Sequence, residues 1–199
     1  MPARDIGRTA LLCGIGGAAD AIAYLRYDTF VGAMTGNTVL LGIDLAQWRP
    51  DRAGFHLGII AIFFAAVIIT RSAVKREVSA AVPLVVTALM LAACGFIADR
   101  WSAAVVAAAL GMQNAAVRTI AGVPLNTVFI TGNLVQLGAS LPHASDPEHR
   151  TAMIVLTASW IAYASGALIG ALALHLFDYP MLVPAGLALI AAIAEAWTR

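Results

Sequence analysis

The chain has 199 residues, of which 61% are hydrophobic and 12% charged, with a net charge of +1 and a mean hydropathy of +0.86. An ordinary soluble domain is about 25% charged, and a chain this short cannot hide so much apolar surface from water, so lipid must cover most of it. The near-neutral charge gives no electrostatic reason to expect nucleic acid or an acidic partner.

In chain order, six stretches approach the roughly 17–25 residues needed to cross a bilayer. They are Thr9–Leu25, Phe55–Val74, Ala80–Ala98, Trp101–Val117, Ala152–Leu176 and Met181–Trp197. The charged start (Arg4, Asp5, Arg8) and Asp20, which interrupts the apolar run, read as a retained first helix rather than a cleaved leader. Two further segments, Phe30–Ala46 and Val128–Leu141, each contain a Thr-Gly-Asn triplet: MTGNTVLLGIDL from Met34 and ITGNLVQLGASL from Ile130. Gly is permissive, and Thr and Asn favour caps over helix interiors, so each triplet predicts a broken helix. The resuming half-helices are expected over 38–46 and 134–141. Trp48, Trp101, Tyr179 and Trp197 fall at segment ends, as an aromatic belt requires. Cys13 and Cys94 lie in apolar runs and read as packed free thiols.

The two halves pair in order. Asp20-Ala21 matches Asn114-Ala115, the triplets match, Phe63–Ile69 aligns with Tyr163–Ile169, and Pro83 falls near the counterpart of Pro184. If both triplet segments dip into the membrane and return, Arg4, Arg8, Arg71, Lys75, Arg76, Arg118, Arg150 and Arg199 share one side. Arg26, Arg49, Arg52 and Arg100 share the other. Full crossing by both segments would leave the strongest cluster in the minority. The positive-inside rule therefore favours re-entrance, with both termini cytoplasmic. The expected fold is a single all-α polytopic membrane domain over 1–199. It comprises two inverted repeats, 9–98 and 101–197, each with three transmembrane helices and one broken or re-entrant segment.

A helix that starts inside the membrane presents free N–H groups and about half a positive charge. Thr35, Asn37, Thr131 and Asn133 can cap such starts, and Gly36 and Gly132 permit close approach by backbone or ligand. Two starts facing each other near the midplane suit a small polar or anionic solute; triplets that only let helices cross tightly are the structural counterpart of that reading. Asp20 is an acidic residue well inside the first span, where a charge is costly and so marks a functional candidate; the alternative is a structural carboxylate bonded to neighbouring backbone or to Arg26 or Arg118. Its counterpart Asn114 is neutral, and Gln113 adds a second amide. That asymmetry suggests proton or cation coupling through Asp20, with Tyr24 and Arg118 as further coupling or anion contacts; Arg118 can equally snorkel to the interface. Asp44, near the outer end of its segment, reads as solvated. The histidines match no metal spacing, no phosphate loop or catalytic triad is present, and neither a cofactor nor an enzymatic role is expected. Gly166 and Gly170 form a small-residue crossing site, whether within the chain or between protomers of a homo-oligomer.

The run G-x-x-D-A-x-x-Y-L-x-x-x-x-F-V-x-x-M-T-G-N-T-V-L-L-G from Gly17 to Gly42 resembles the hallmark of the YoaK-type family of small bacterial integral membrane proteins. G-M-Q-N-A (Gly111–Ala115), the second triplet, and W-x-x-Y-x-x-G-A-L-I-G (Trp160–Gly170) resemble that family's second repeat. In that family the second triplet is often Thr-Gly-Thr, so Asn133 makes this chain more symmetric than usual. The resemblance implies a protein of the bacterial cytoplasmic membrane and says little about activity. The residues themselves point to a small-solute transporter or channel-like protein. The alternative is a non-transporting membrane assembly or lipid-sensing module.

Overall fold

The computed structural model describes residues 3–74, 81–97, 99–117 and 119–197. Lys75, Arg76, Arg118 and Arg199, used above for sidedness and in part as site candidates, lie outside these residues.

The helices are α1 (Ala3–Tyr27), α2 (Met34–Ala46), α3 (Pro50–Val74), α4 (Ala81–Gly95), α5 (Ser102–Ala116), α6 (Ile130–Ser140), α7 (Pro147–Leu176) and α8 (Leu182–Ala196). A 3₁₀ turn (Leu141–His143) precedes α7. Among the described residues three helices, α1, α3 and α7, are long and apolar enough to cross a membrane, and α4, α5 and α8 are shorter apolar helices. At about 1.5 Å per residue, the 13 residues of α2 and 11 of α6 cannot cross a hydrocarbon layer of about 30 Å alone. Phe64, Ile69, Leu89 and Val135 point outward, as lipid-facing residues do, and Trp48 and Trp197 are 91% and 86% exposed at segment ends.

The helices pack in matched pairs: α1 on α7 and α3 on α5, α2 on α3 and α6 on α7, α4 on α5 and α8 on α1, with α4 against α8. The α1–α7 crossing is close enough for backbone to meet backbone. A Cβ at Gly166 would strike the Gly14 carbonyl, one at Gly170 the Ala18 carbonyl, and one at Gly17 the Tyr163 carbonyl. The small-residue pair of α7 thus serves a contact within the chain. At the α3–α5 crossing, a Cβ on Gly111 would come within 2.7 Å of the Phe63 carbonyl and 3.2 Å of the Ala66 methyl. These are the positions that the sequence pairs with Gly17, Tyr163 and Gly166. The core runs through Leu12, Ile15, Ile22, Ile59, Leu84, Leu91, Leu110 and Leu156, and both cysteines are buried free thiols.

Side-chain contacts fix the two ends of the bundle. At one end Arg8 of α1 pairs with Glu195 of α8 at 2.9 Å. At the other, the end of α1 meets the start of α5 through Ser102 Oγ, which donates to Tyr27 Oη at 3.2 Å. The start of α3 meets the start of α5 there through Phe55 and Trp101, and the end of α4 meets the start of α8 through Gly95 and Leu182.

Helices α2 and α6 begin earlier than the sequence suggests. The triplets lie in their first turns rather than before them, and the true breaks are upstream, in residues 28–33 and 119–129. The second break contains a short antiparallel pair, β1 (Thr119–Ile120) with β2 (Val123–Pro124). Ala121 and Gly122 between them both have positive φ, 52° and 79°, the geometry a two-residue hairpin turn prefers.

Candidate functional site

Asp20 sits on α1 and is 3% exposed. Its Oδ1 accepts from the N–H groups of Val31 and Gly32, both at 2.7 Å, and Oδ2 accepts from Ala33 N–H at 3.1 Å. These amides immediately precede α2, so the carboxylate occupies the positive end of that helix. The hydroxyl of Tyr163, from α7 in the other half, donates to Oδ2. Three backbone donors and one hydroxyl thus converge on the carboxyl group.

The second half repeats the scheme with a neutral group. Asn114 Oδ1 accepts from Thr127 N–H at 3.0 Å and from Thr127 Oγ1 at 3.3 Å. The triplet asparagines brace the same breaks from the other side. Asn37 accepts from Phe30 N–H (2.9 Å) and Thr29 Oγ1 (3.1 Å) and donates to the Phe30 carbonyl (2.6 Å). Asn133 accepts from Asn126 N–H (3.3 Å) and donates to the Asn126 carbonyl (2.8 Å) and Ser159 Oγ (3.1 Å). Each asparagine reaches back seven residues to the N–H and the C=O of a single residue. The expected capping of the helix starts is therefore replaced by bracing of the loops, and neither α2 nor α6 has a side-chain N-cap bond.

The two loops touch. A Cβ on Gly32 would lie 3.0 Å from Val128 Cβ and 3.1 Å from Asp20 Oδ2. Gln113 closes the second half: Nε2 donates to the Leu12 carbonyl at 2.8 Å and to Thr127 Oγ1 at 3.2 Å, while its buried Oε1 has no partner among the described residues. Asp20, Asn37, Gln113, Asn114 and Asn133 are thus gathered around two adjoining loops.

The other candidates sit apart. Thr35 and Thr131 are exposed. Gly36 and Gly132 are covered by aromatic rings, those of Phe30 and Phe129. Tyr24 is 42% exposed, and its ring stacks on Phe30 at 4.8 Å between centroids rather than facing Asp20. Arg118 lies outside the described residues. Tyr163 escaped the sequence reading as a site residue, although its alignment with Phe63 exposed a hydroxyl present in one repeat only.

A second polar cluster was also missed. Asp44 is buried, 3% exposed, and lies 3.1 Å from His56 Nδ1 and 3.6 Å from Arg52, so it is not solvated as expected. The other His56 nitrogen, Nε2, lies 3.2 Å from the Asp28 carbonyl. The signal available was an aspartate followed within one loop and turn by Arg49, Arg52 and His56.

Among the described residues no cluster of three or more potential metal ligands occurs. The cavities among the described residues, around the ends of the helices and in the groove beside the hairpin, are not lined by Asp20 or a triplet residue. No curated protein and no solved structure matches the chain. The family described as protein of unknown function (DUF1275) matches over residues 9–194, and the chain belongs to that family.

Proposed function

We propose that the chain is a small-solute transporter or channel-like protein of the bacterial cytoplasmic membrane. It is built from two inverted repeats, with three crossings and one re-entrant segment in each. Parallel packing of α1 on α7 and of α3 on α5 supports the inversion. Within the first half α1 and α3 run oppositely, and the helices they pair with belong to the second half. The Arg8–Glu195 contact supports a shared end for the start of α1 and the end of α8, with Arg71 and Arg150 at that end and Arg26, Arg52 and Arg100 at the other. That distribution favours cytoplasmic termini.

The observation that carries the reading is a buried carboxylate holding three backbone N–H groups of one repeat and a tyrosine of the other, where the two loops meet. In this closed arrangement Asp20 acts as an internal anion at the half-helix start. Proton transfer to Asp20 removes its charge and weakens its hold on Val31, Gly32 and Ala33. An anionic or polar group of the solute then takes those donors, which couples its passage to the proton. The bilayer and the solute are the only partners this reading requires, and no catalytic step belongs to it.

The test is solute flux in proteoliposomes containing a pH-sensitive dye, with formate, acetate, inorganic phosphate and glycerol as probes at several pH values. The reading expects at least one solute to move faster than in empty liposomes, with Asp20→Asn and Tyr163→Phe flattening the pH dependence. An unchanged pH dependence in Asp20→Asn overturns the coupling role. No flux above empty liposomes with any probe overturns transport in favour of the assembly or lipid-sensing module.

A further inference from the structure

At the end of the bundle opposite the chain termini, a cavity of about 280 Å³ is lined by Arg26, Tyr27, Asp28, Arg52, Phe55, His56 and Arg100. Three arginines in one small cavity of a chain with so few charges need an account. Asp28 lies 3.6 Å from Arg52, and Asp44, behind the wall, lies 3.1 Å from His56. His56 Nδ1 lies near Asp44 Oδ2, and Nε2 lies 3.2 Å from the Asp28 carbonyl. Asp28 and Asp44 both lie within ion-pair distance of Arg52, and Asp44 also of Arg49. Arg26 and Arg100 have no carboxylate within ion-pair distance among the described residues.

Arg100 is also held in place. Its guanidinium carbon lies 5.4 Å from the centroid of Phe55 and 5.6 Å from that of Trp101, and those two rings pack edge-on at 5.4 Å. Two aromatic faces position the group without using its N–H donors. Tyr27 Oη accepts from Ser102, so its own proton remains free to donate. Arg26 also lines an adjoining cavity of about 400 Å³ with Asp178 and Tyr179, so the pocket opens sideways rather than closing on itself.

We infer that this cavity is a binding site for a phosphate group, held between the guanidinium groups of Arg26 and Arg100 with Tyr27 as a third donor. Two unanswered arginines match the charge of a phosphate, and their planar donor sets match its oxygens. The group is either a free phosphate or the headgroup of an anionic lipid at the membrane surface. The inference is independent of transport, because binding is read without flux.

The experiment uses the full chain purified in a neutral detergent, with calorimetry as the readout and the Trp101 contribution to intrinsic fluorescence as a second. One arm titrates inorganic phosphate. The other titrates mixed micelles of phosphatidylglycerol, with phosphatidylcholine as control. Saturable binding in either arm is expected, and the arm that responds identifies the source. Arg26→Gln and Arg100→Gln should each weaken it at least tenfold, Arg100→Lys less, and Arg4→Gln at the opposite end not at all. Thermal melting of each variant separates lost binding from lost folding. Absence of saturation in both arms, or affinity that survives both glutamine substitutions in folded protein, overturns the site.

Discussion

Asp20 and Asn114 hold matching loops, yet only one of them can ionise. In lipid a buried carboxylate costs several kcal/mol, and here three N–H groups and a hydroxyl offset that cost. Charge-assisted bonds of this kind contribute about 1.5–3 kcal/mol each. Asp20→Ala leaves the amides of Val31, Gly32 and Ala33 without their acceptor and should destabilise the protein by about 3–5 kcal/mol, the usual penalty for breaking a buried charged network. Asp20→Asn should cost less, about 1–3 kcal/mol, because one oxygen remains while the new amide points donor at donor. Denaturant titration in mixed micelles reads both, and an Asp20→Asn protein as stable as wild type would mean the amides are held by something else. Asp146 offers a pH test outside the membrane. It caps α7 by accepting from Glu148 N–H at 3.0 Å, and that bond, followed by the neighbouring His149, holds its carboxyl below the usual carboxylate range. A depressed carboxylate stabilises above its unfolded value and loses that contribution as pH falls through its folded one. Asp146→Ala should therefore melt below wild type at neutral pH, with the gap narrowing on acidification; a gap that ignores pH would remove the cap from the account. At this scale Asp20, Asn37 and Asn133 were legible because polar groups in apolar segments demand partners. The identity of those partners was not, since Tyr163 lies 143 positions from Asp20.

Among the elements, the apolar helices were readable from apolar length, with α1, α3 and α7 long enough to cross a membrane and α4, α5 and α8 shorter than expected, but the starts of α2 and α6 were not. Thr, Gly and Asn weakly disfavour a helix, and that preference placed the breaks at the triplets. Tertiary bonds override it. Asp20 and Asn37 hold residues 30–33 outside α2, so the helix begins at Met34 and absorbs the triplet. The crossing glycines show the opposite balance, with sequence spacing and packing in agreement. Gly166 and Gly170 face the backbone of α1, whereas Gly42 and Gly138 face open space in the half-helices. A methyl at the first pair forces the helices apart, and overpacking of this kind costs about 1–3 kcal/mol. At the second pair it only removes glycine's backbone entropy, a gain of about 0.5–1 kcal/mol. Gly166→Ala should lower the melting temperature in detergent and Gly138→Ala should hold or raise it. Equal effects would show that the α1–α7 contact is looser than its geometry implies.

For the molecule as a whole, the decisive question is how the two halves lie across the membrane, and the exchange of helix partners gives a definite expectation. Residues 28–33 return to the level of Asp20 before α2 runs back to the Arg26 end, where Asp44 meets His56. Thr127 likewise reaches Asn114 before α6 runs to the opposite end, beside the start of α7. The α2–α3 turn at Trp48 and the α6–α7 turn at Asp146 hold corresponding places in the proposed repeats and lie at opposite ends of the bundle, as the proposed inversion requires. Duplication without inversion would put both on one side. Charge counting could suggest this from sequence, because arginine placement responds to the membrane. It could not show that the halves share one core, which depends on α1 packing against α7. Single cysteines at positions 5, 48, 146 and 178, in a background lacking Cys13 and Cys94, should divide in intact spheroplasts. A membrane-impermeant maleimide should label positions 48 and 178 from outside and reach 5 and 146 only after permeabilisation. Labelling of 48 and 146 from the same side would refute the inversion, and with it the meeting of two half-helix starts on which the Asp20 site depends.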